Sequence, residues 1–224
     1  MSQNTMELST LKKLRKVVPG TVFLFFSVPA YQFFVDTLFQ IDESLKFSLE
    51  GYGAVIAIVI GSFFGTLKVR KLRNEKTHKE INDNIKSRLL EEGLKENRTE
   101  EEKDKVKNSK KLMHVFYYLI DNDESLKEKS KLVRDNGLIW TSTADVAILG
   151  CFFSWLYFIL ILIFGVNGLL VSAGLLIGTI GLISGAILHP RTVREHIRLG
   201  NEQIEFILTN HREDLQSRVT ELFH

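Results

Sequence analysis

Arg191 and His196 stand with four residues between them in "HPRTVREHIR", residues 189–198. An arginine and a histidine together can handle a phosphodiester: the guanidinium stabilises phosphoryl charge and the imidazole moves a proton. The stretch directly follows "GLLVSAGLLIGTIGLISGAIL", an uncharged apolar run. The same side chains can therefore be cations at the end of a membrane helix, held against lipid phosphates. Which chemistry applies depends on what that run is.

The spacing resembles the Arg-x4–6-His signature of the HEPN ribonucleases, helical proteins in which two such side chains from paired subunits converge on a phosphate. That resemblance implies a membrane-tethered ribonuclease with Arg191 and His196 as its catalytic pair, and it covers only this short stretch. Arg73–His78 and Arg218–His224 fit the same loose pattern, of which about one match is expected by chance in a chain with this many histidines. Arg191 also lies within one turn of the apolar boundary, where membrane topology already accounts for a cation. A non-enzymatic protein is the expected class, with Arg191 and His196 as the alternative.

No other catalytic constellation is present. "GYGAVI", residues 51–56, lacks the third glycine of a dinucleotide fingerprint and enters an apolar run instead of following a strand. The single cysteine, Cys151, cannot form an intrachain disulfide and reads as a small packing residue; no metal or cofactor is expected. His114, Phe116, Tyr117 and Tyr118, near Lys110, Lys111 and Lys127, are a candidate contact for a partner or a stacked nucleotide. A helical core explains these aromatics equally well. The net charge of +2 speaks against bulk nucleic-acid binding.

Charge is segregated into blocks. Residues 51–67 and 146–188 carry none and 17–40 carry only Asp36, whereas about half of 68–135 is charged. A bilayer imposes such a separation, and about 20 apolar residues cross its core. Four spans are expected: 17–39, 52–69, 145–165 and 168–188, the last two joined by "GVNG" as a hairpin. Pro29 falls mid-span and should kink the first. The first apolar run also resembles a secretory signal, but its continuation through "YQFFVDTLF" favours a retained span.

The short flanks fix the orientation. Lys12, Lys13, Arg15 and Lys16 precede the first span; Arg70, Lys71 and Arg73 follow the second; Arg191, Arg194 and Arg198 follow the fourth. These residues read as membrane-surface anchors. The loop "QIDESLKFSLEG", residues 40–51, is acidic on balance, and the "GVNG" loop is uncharged. Both termini and the central block are thus expected on the cytoplasmic side.

Within the spans, Gly61 with Gly65, Gly174 with Gly178, and Gly181 with Gly185 have the small-xxx-small spacing of close helix contacts. They could seal the four-helix unit or join copies of it. Asp36, Asp145 and His189 lie near span ends, and Gln32 is the one strongly polar side chain deep in a span. This argues against an ion-coupled carrier. Serine and threonine hydroxyls in the spans can bond to helix carbonyls.

The charged remainder reads as helical. Ile81, Ile85, Leu89 and Leu94 repeat at helical spacing, as do Leu112, Val115, Phe116 and Leu119. "ENRTEEEKDKVKNSKK", residues 96–111, reads as a solvated connector, and Asn136-Gly137 as a helix stop. Ser142 and Asp145 have capping-box spacing and would open the third span. The tail's stripe of Val193, Ile197, Ile204, Leu208, Leu215, Val219 and Leu222 predicts one long amphipathic helix weakened only at Gly200.

The expectation is an all-α polytopic membrane protein. It has a cytoplasmic N-terminus (1–16), spans one and two (17–69), a charged helical cytoplasmic region (70–143), a span hairpin (144–188) and an amphipathic cytoplasmic tail (189–224). Its partners are a lipid bilayer, other copies of itself and a soluble cytoplasmic protein. By its layout it suits a membrane effector, anchor or sensor of the kind found in bacterial inner membranes in stress or antiphage defence.

Overall fold

The structure, a computed structural model, describes residues 7–42, 49–67, 69–95 and 97–223. The acidic loop at 43–48, Lys68 and His224 lie outside the described residues. Helices and short connections make up everything described, with no strand. In chain order they are α1 (Leu8–Gln32), a π-helical turn π1 (Phe33–Leu38), α2 (Leu49–Thr66), α3 (Lys71–Gly93), α4 (Glu100–Asn108) and α5 (Lys111–Asp121). Then follow α6 (Glu124–Phe164), α7 (Gly168–Ile183), a second π turn π2 (Ser184–Leu188), α8 (His189–Asn210) and α9 (Arg212–Glu221). Among the described residues, three stretches are long and apolar enough to cross a membrane: Ser9–Leu38, Glu124–Phe164 and Gly168–Asn210; the apolar helix Gly51–Thr66 is shorter.

The chain divides into two compact units. The apolar unit comprises 7–74 and 138–192. Small residues let its helices meet backbone to backbone. A Cβ on Gly20 would stand 1.7 Å from the carbonyl oxygen of Ala57, and one on Gly61 equally close to that of Lys16. A Cβ on Gly150 would stand 2.6 Å from the Cα of Gly181. Between these seams lies a core of Phe26, Phe33, Phe153, Tyr157, Leu160 and Leu170. Phe153 receives Phe23 edge-on at 5.0 Å, a favoured geometry for the ring quadrupoles.

Pro29 lies inside α1, which runs on to Gln32, and its missing N–H leaves the carbonyl of Phe25 without its helix partner. Tyr157 repairs the ladder beside it: the N–H of Ala30 donates to the Tyr157 hydroxyl at 3.3 Å, and that hydroxyl donates to the carbonyl of Phe26. One hydroxyl thus bridges the N–H and the carbonyl of an i→i−4 pair, three residues before the π turn begins. Other hydroxyls bond within their own helices, Ser62 to Ile58, Ser172 to Gly168 and Thr179 to Leu175. Ser154 reaches across to the carbonyl of Gly174. Gln32 and Asp36 are exposed.

The charged unit comprises 75–137 and 193–223 among the described residues. Its core takes Ile81, Ile85 and Leu89 from α3, Leu112, Phe116 and Leu119 from α5, Leu126 from α6, and Ile204, Ile207, Leu215 and Val219 from α8 and α9. Each such side chain contributes roughly 1.5–3 kcal/mol relative to exposure. Gly93 lies against Val219, which a Cβ would approach to 2.7 Å.

Several expectations are corrected here. The connector at 96–111 holds a real helix, α4, opened by a capping box between Thr99 and Glu102 and anchored by buried Val106. Asn136-Gly137 does not stop a helix: α6 runs unbroken through it, and Asn136 is buried with its amide 3.3 Å from Nδ1 of His196. Tertiary contact outweighs the roughly 1 kcal/mol that glycine costs inside a helix. Ser142 and Asp145 consequently sit mid-helix and cap nothing. The tail breaks at His211, not Gly200: a Cβ on Gly200 would meet Ile85 at an ordinary 3.7 Å, while His211 turns the chain and bonds Asp123 at 2.9 Å. Cys151 points outward and does not pack inside.

Candidate functional site

A carboxylate in an apolar helix must find a cation or be neutralised. Asp145, on α6, is 0% exposed. Arg70, in the turn between α2 and α3, grips it as a fork, with Nε at 2.9 Å from Oδ1 and Nη2 at 2.5 Å from Oδ2. The same Nη2 donates to the carbonyl of Arg15 on α1 at 2.9 Å. One planar guanidinium therefore ties three segments together, which lysine's point charge could not reproduce.

Arg73, one turn further on, donates from Nη2 to the carbonyl of Gly185 in π2. The chain explains why that oxygen is open. In a π turn residue 185 should accept from the N–H at 190, and residue 190 is a proline, without one. Beside this contact Ser184 donates to the carbonyl of Thr143 at 2.8 Å, and Thr143 donates to that of Trp140 at 2.8 Å. Nδ1 of His189 lies 3.4 Å from the Thr143 hydroxyl. His189 is only 3% exposed, and its Nε2 is buried with no hydrogen-bond partner.

The ten basic residues expected as anchors therefore fall into two sets. Lys12, Lys13, Lys16, Lys71, Arg191, Arg194 and Arg198 are exposed. Arg198 pairs with Glu195 at 2.6 Å and with Glu202, and these contacts hold the Glu195 carboxyl below its usual range. Arg15, Arg70 and Arg73 are half-buried. Arg70 ties Arg15 to Asp145, and Arg73 ties to Gly185 and acts electrostatically on His189. Sequence reasoning saw the basic flanks but missed the pairing. The usable signal was Asp145 itself, the one acid at the edge of an otherwise uncharged stretch, which needed a cation at its own depth.

The small-xxx-small glycines also divide. Gly174 packs on Tyr157, Gly178 on Ser154, Gly181 on Gly150 and Gly185 on Arg73 and Ala147. Gly61 packs on α1, whereas a Cβ on Gly65 would meet nothing within 4 Å. The working motif of α2 is thus Ala57-xxx-Gly61, facing Gly20 and Lys16.

Arg191 and His196 lie five positions apart on α8, about 140° around the helix. Arg191 is exposed, while His196 engages Asn136 within the charged unit. The aromatic cluster does not present a stacking cage. Phe116 is in the core, the Tyr118 ring is covered by the Arg218 guanidinium at 3.6 Å, and only His114 and Tyr117 are exposed beside it without such a cover. Among the described residues no group of three or more His, Cys, Asp or Glu side chains is placed to hold a metal. No family model, curated protein or solved structure matches the chain, so what it does has to be argued from this geometry.

Proposed function

We propose that the chain is a four-span integral membrane protein with both termini and its charged unit on the cytoplasmic side, working as a non-enzymatic oligomer. It couples a cytoplasmic signal or soluble partner to a change in the bilayer, as a pore-forming effector or membrane anchor in a bacterial stress or defence response. Support for α2 as the fourth span comes from its length and surface. Its 18 residues measure about 27 Å, close to a hydrocarbon core, and Tyr52, Val55, Ile58, Val59 and Phe63 are exposed along it. An even number of spans also keeps every basic flank on one side.

The observation that carries the coupling is the Arg70 fork. A pull on the start of α3 acts first on Arg70 and Arg73, and these hold α1, α6 and π2. Such a buried polar contact has two discrete arrangements, made or broken, as a switch element needs. The test is dye release from liposomes containing the full chain, wild type beside Arg70→Gln. The coupling reading expects release to differ between the two. Equal, background release from both would leave a passive scaffold and sink the pore.

A further inference from the structure

Arg15, Arg70 and Arg73 bring three positive charges to one end of the apolar unit, and among the described residues Asp145 is the one carboxylate paired with them. Arg70 uses that carboxylate fully, as a fork. Arg73 spends one Nη on a neutral carbonyl, and its Nε is buried with no hydrogen-bond partner. The Arg15 side chain makes no ion pair among the described residues, and its Nε is likewise buried and unbonded. The His189 imidazole, 3% exposed, interacts with the Trp140 backbone, yet its Nε2 is buried with no direct partner, and Arg73 is near enough to act on it electrostatically.

Buried polar atoms without partners are costly, and positive charge left uncompensated at half-buried positions adds to that cost. These costs fall together if an anion is present. Planar guanidiniums present paired N–H groups that match a tetrahedral oxyanion, and a histidine can add one more donor when protonated. The exposed cations, Arg191 and Arg194, have no such enclosure.

We propose that Arg15 and Arg73, with His189 behind them and Arg70 holding the frame, form a binding site for a phosphate group. The group is supplied either by a lipid headgroup or by a soluble phosphate. The lipid source rests on the membrane reading above; the soluble source does not.

The site is tested on the full wild-type chain by arginine footprinting with phenylglyoxal, read residue by residue by mass spectrometry. One arm compares nanodiscs of phosphatidylcholine with nanodiscs also containing phosphatidylglycerol, in phosphate-free buffer. The other adds inorganic phosphate to phosphatidylcholine nanodiscs, or to the chain in solution. Modification of Arg15 and Arg73 should slow roughly tenfold at ligand well above its dissociation constant, with Arg191 unchanged. Protection by phosphatidylglycerol alone assigns the lipid source; protection by inorganic phosphate assigns the soluble one. Protection in neither arm overturns the site, as does equal protection of Arg191, which would mean diffuse surface attraction. A second variant, Arg73→Lys, keeps the charge but loses the fork, and should weaken protection of Arg15 several-fold. A chain that never enters nanodiscs would sink the membrane reading, while the phosphate arm would still decide the site.

Discussion

In the charged unit, large apolar side chains at the surface are limited, among the described residues, to Tyr117 and Tyr118. In the apolar unit they run along every long helix, from Phe25 through Val55, Phe63, Trp155, Leu162 and Leu176 to Leu188. Its buried interior, in turn, contains Asp145, Ser184 and His189 beside the aromatic core. The charged unit closes mainly with aliphatic side chains between helices, with Phe116 among them and with Asn136 meeting His196 and Asp123 meeting His211. The apolar unit closes with glycine seams, a hydroxyl spliced into a helix ladder and a forked ion pair. The difference teaches that the apolar unit does not rest on its buried core alone. Its helices are joined by close backbone approach and by polar bonds, as expected where the surroundings are as apolar as the side chains.

That contrast can be broken most sharply at Arg70. Arg70→Met leaves the Asp145 carboxylate buried without its cation and should cost about 3–5 kcal/mol, read as the unfolding midpoint in detergent. The double variant Arg70→Met with Asp145→Leu should recover most of it. A single variant as stable as wild type would mean the fork holds nothing. Next comes the glycine seam. Gly150→Ala places a Cβ 2.6 Å from the backbone of Gly181 and should cost about 1–3 kcal/mol, measured in the same way. Gly65→Ala, facing open space, should be neutral or stabilising by up to about 1 kcal/mol. Equal losses at both positions would remove the seam from the account.

In the charged unit the expected effects are smaller. Asp123 caps α6 through the N–H of Leu126, and that bond, then His211, holds its carboxyl below the usual range. Because the folded state lowers this pKa, the stabilisation is present above the unfolded value and is lost as pH falls through the folded one. Asp123→Ala should therefore cost about 0.5–2 kcal/mol at neutral pH, and the gap from wild type should close in acid. A gap that persists at low pH would show that the carboxylate is not its source. Smallest is Arg198→Ala. Its pairs with Glu195 and Glu202 are exposed, so solvent and salt screen them and the unfolding midpoint should hardly move.

How much of this was legible from the residues alone follows the same divide. Helical class, the apolar stretches and most of the buried stripe at Val193, Ile204, Leu215 and Val219 are periodic signals, and periodicity is local. What failed was also local chemistry, overruled by distant contacts. Asn136-Gly137 resembles a stop until a second segment packs there, and Asp145 resembles a cap until Arg70 arrives from 75 positions away. Gly20 and Gly150 went unnoticed because each belongs to a motif completed by another helix. Pro190 beside an apolar run was visible, but the open carbonyl of Gly185 five residues earlier depends on a π turn that spacing rules do not foresee.

The central claim is that acyl chains, not water, surround the apolar unit. The chain has two tryptophans: Trp155 is 66% exposed on α6 and Trp140 only 7%. The direct measurement is fluorescence quenching of the reconstituted chain, with Trp155→Phe as the reference that isolates the Trp155 signal. The account predicts strong quenching of Trp155 by lipids brominated on their acyl chains and little by aqueous acrylamide. Efficient acrylamide quenching, with brominated lipid silent, would contradict it.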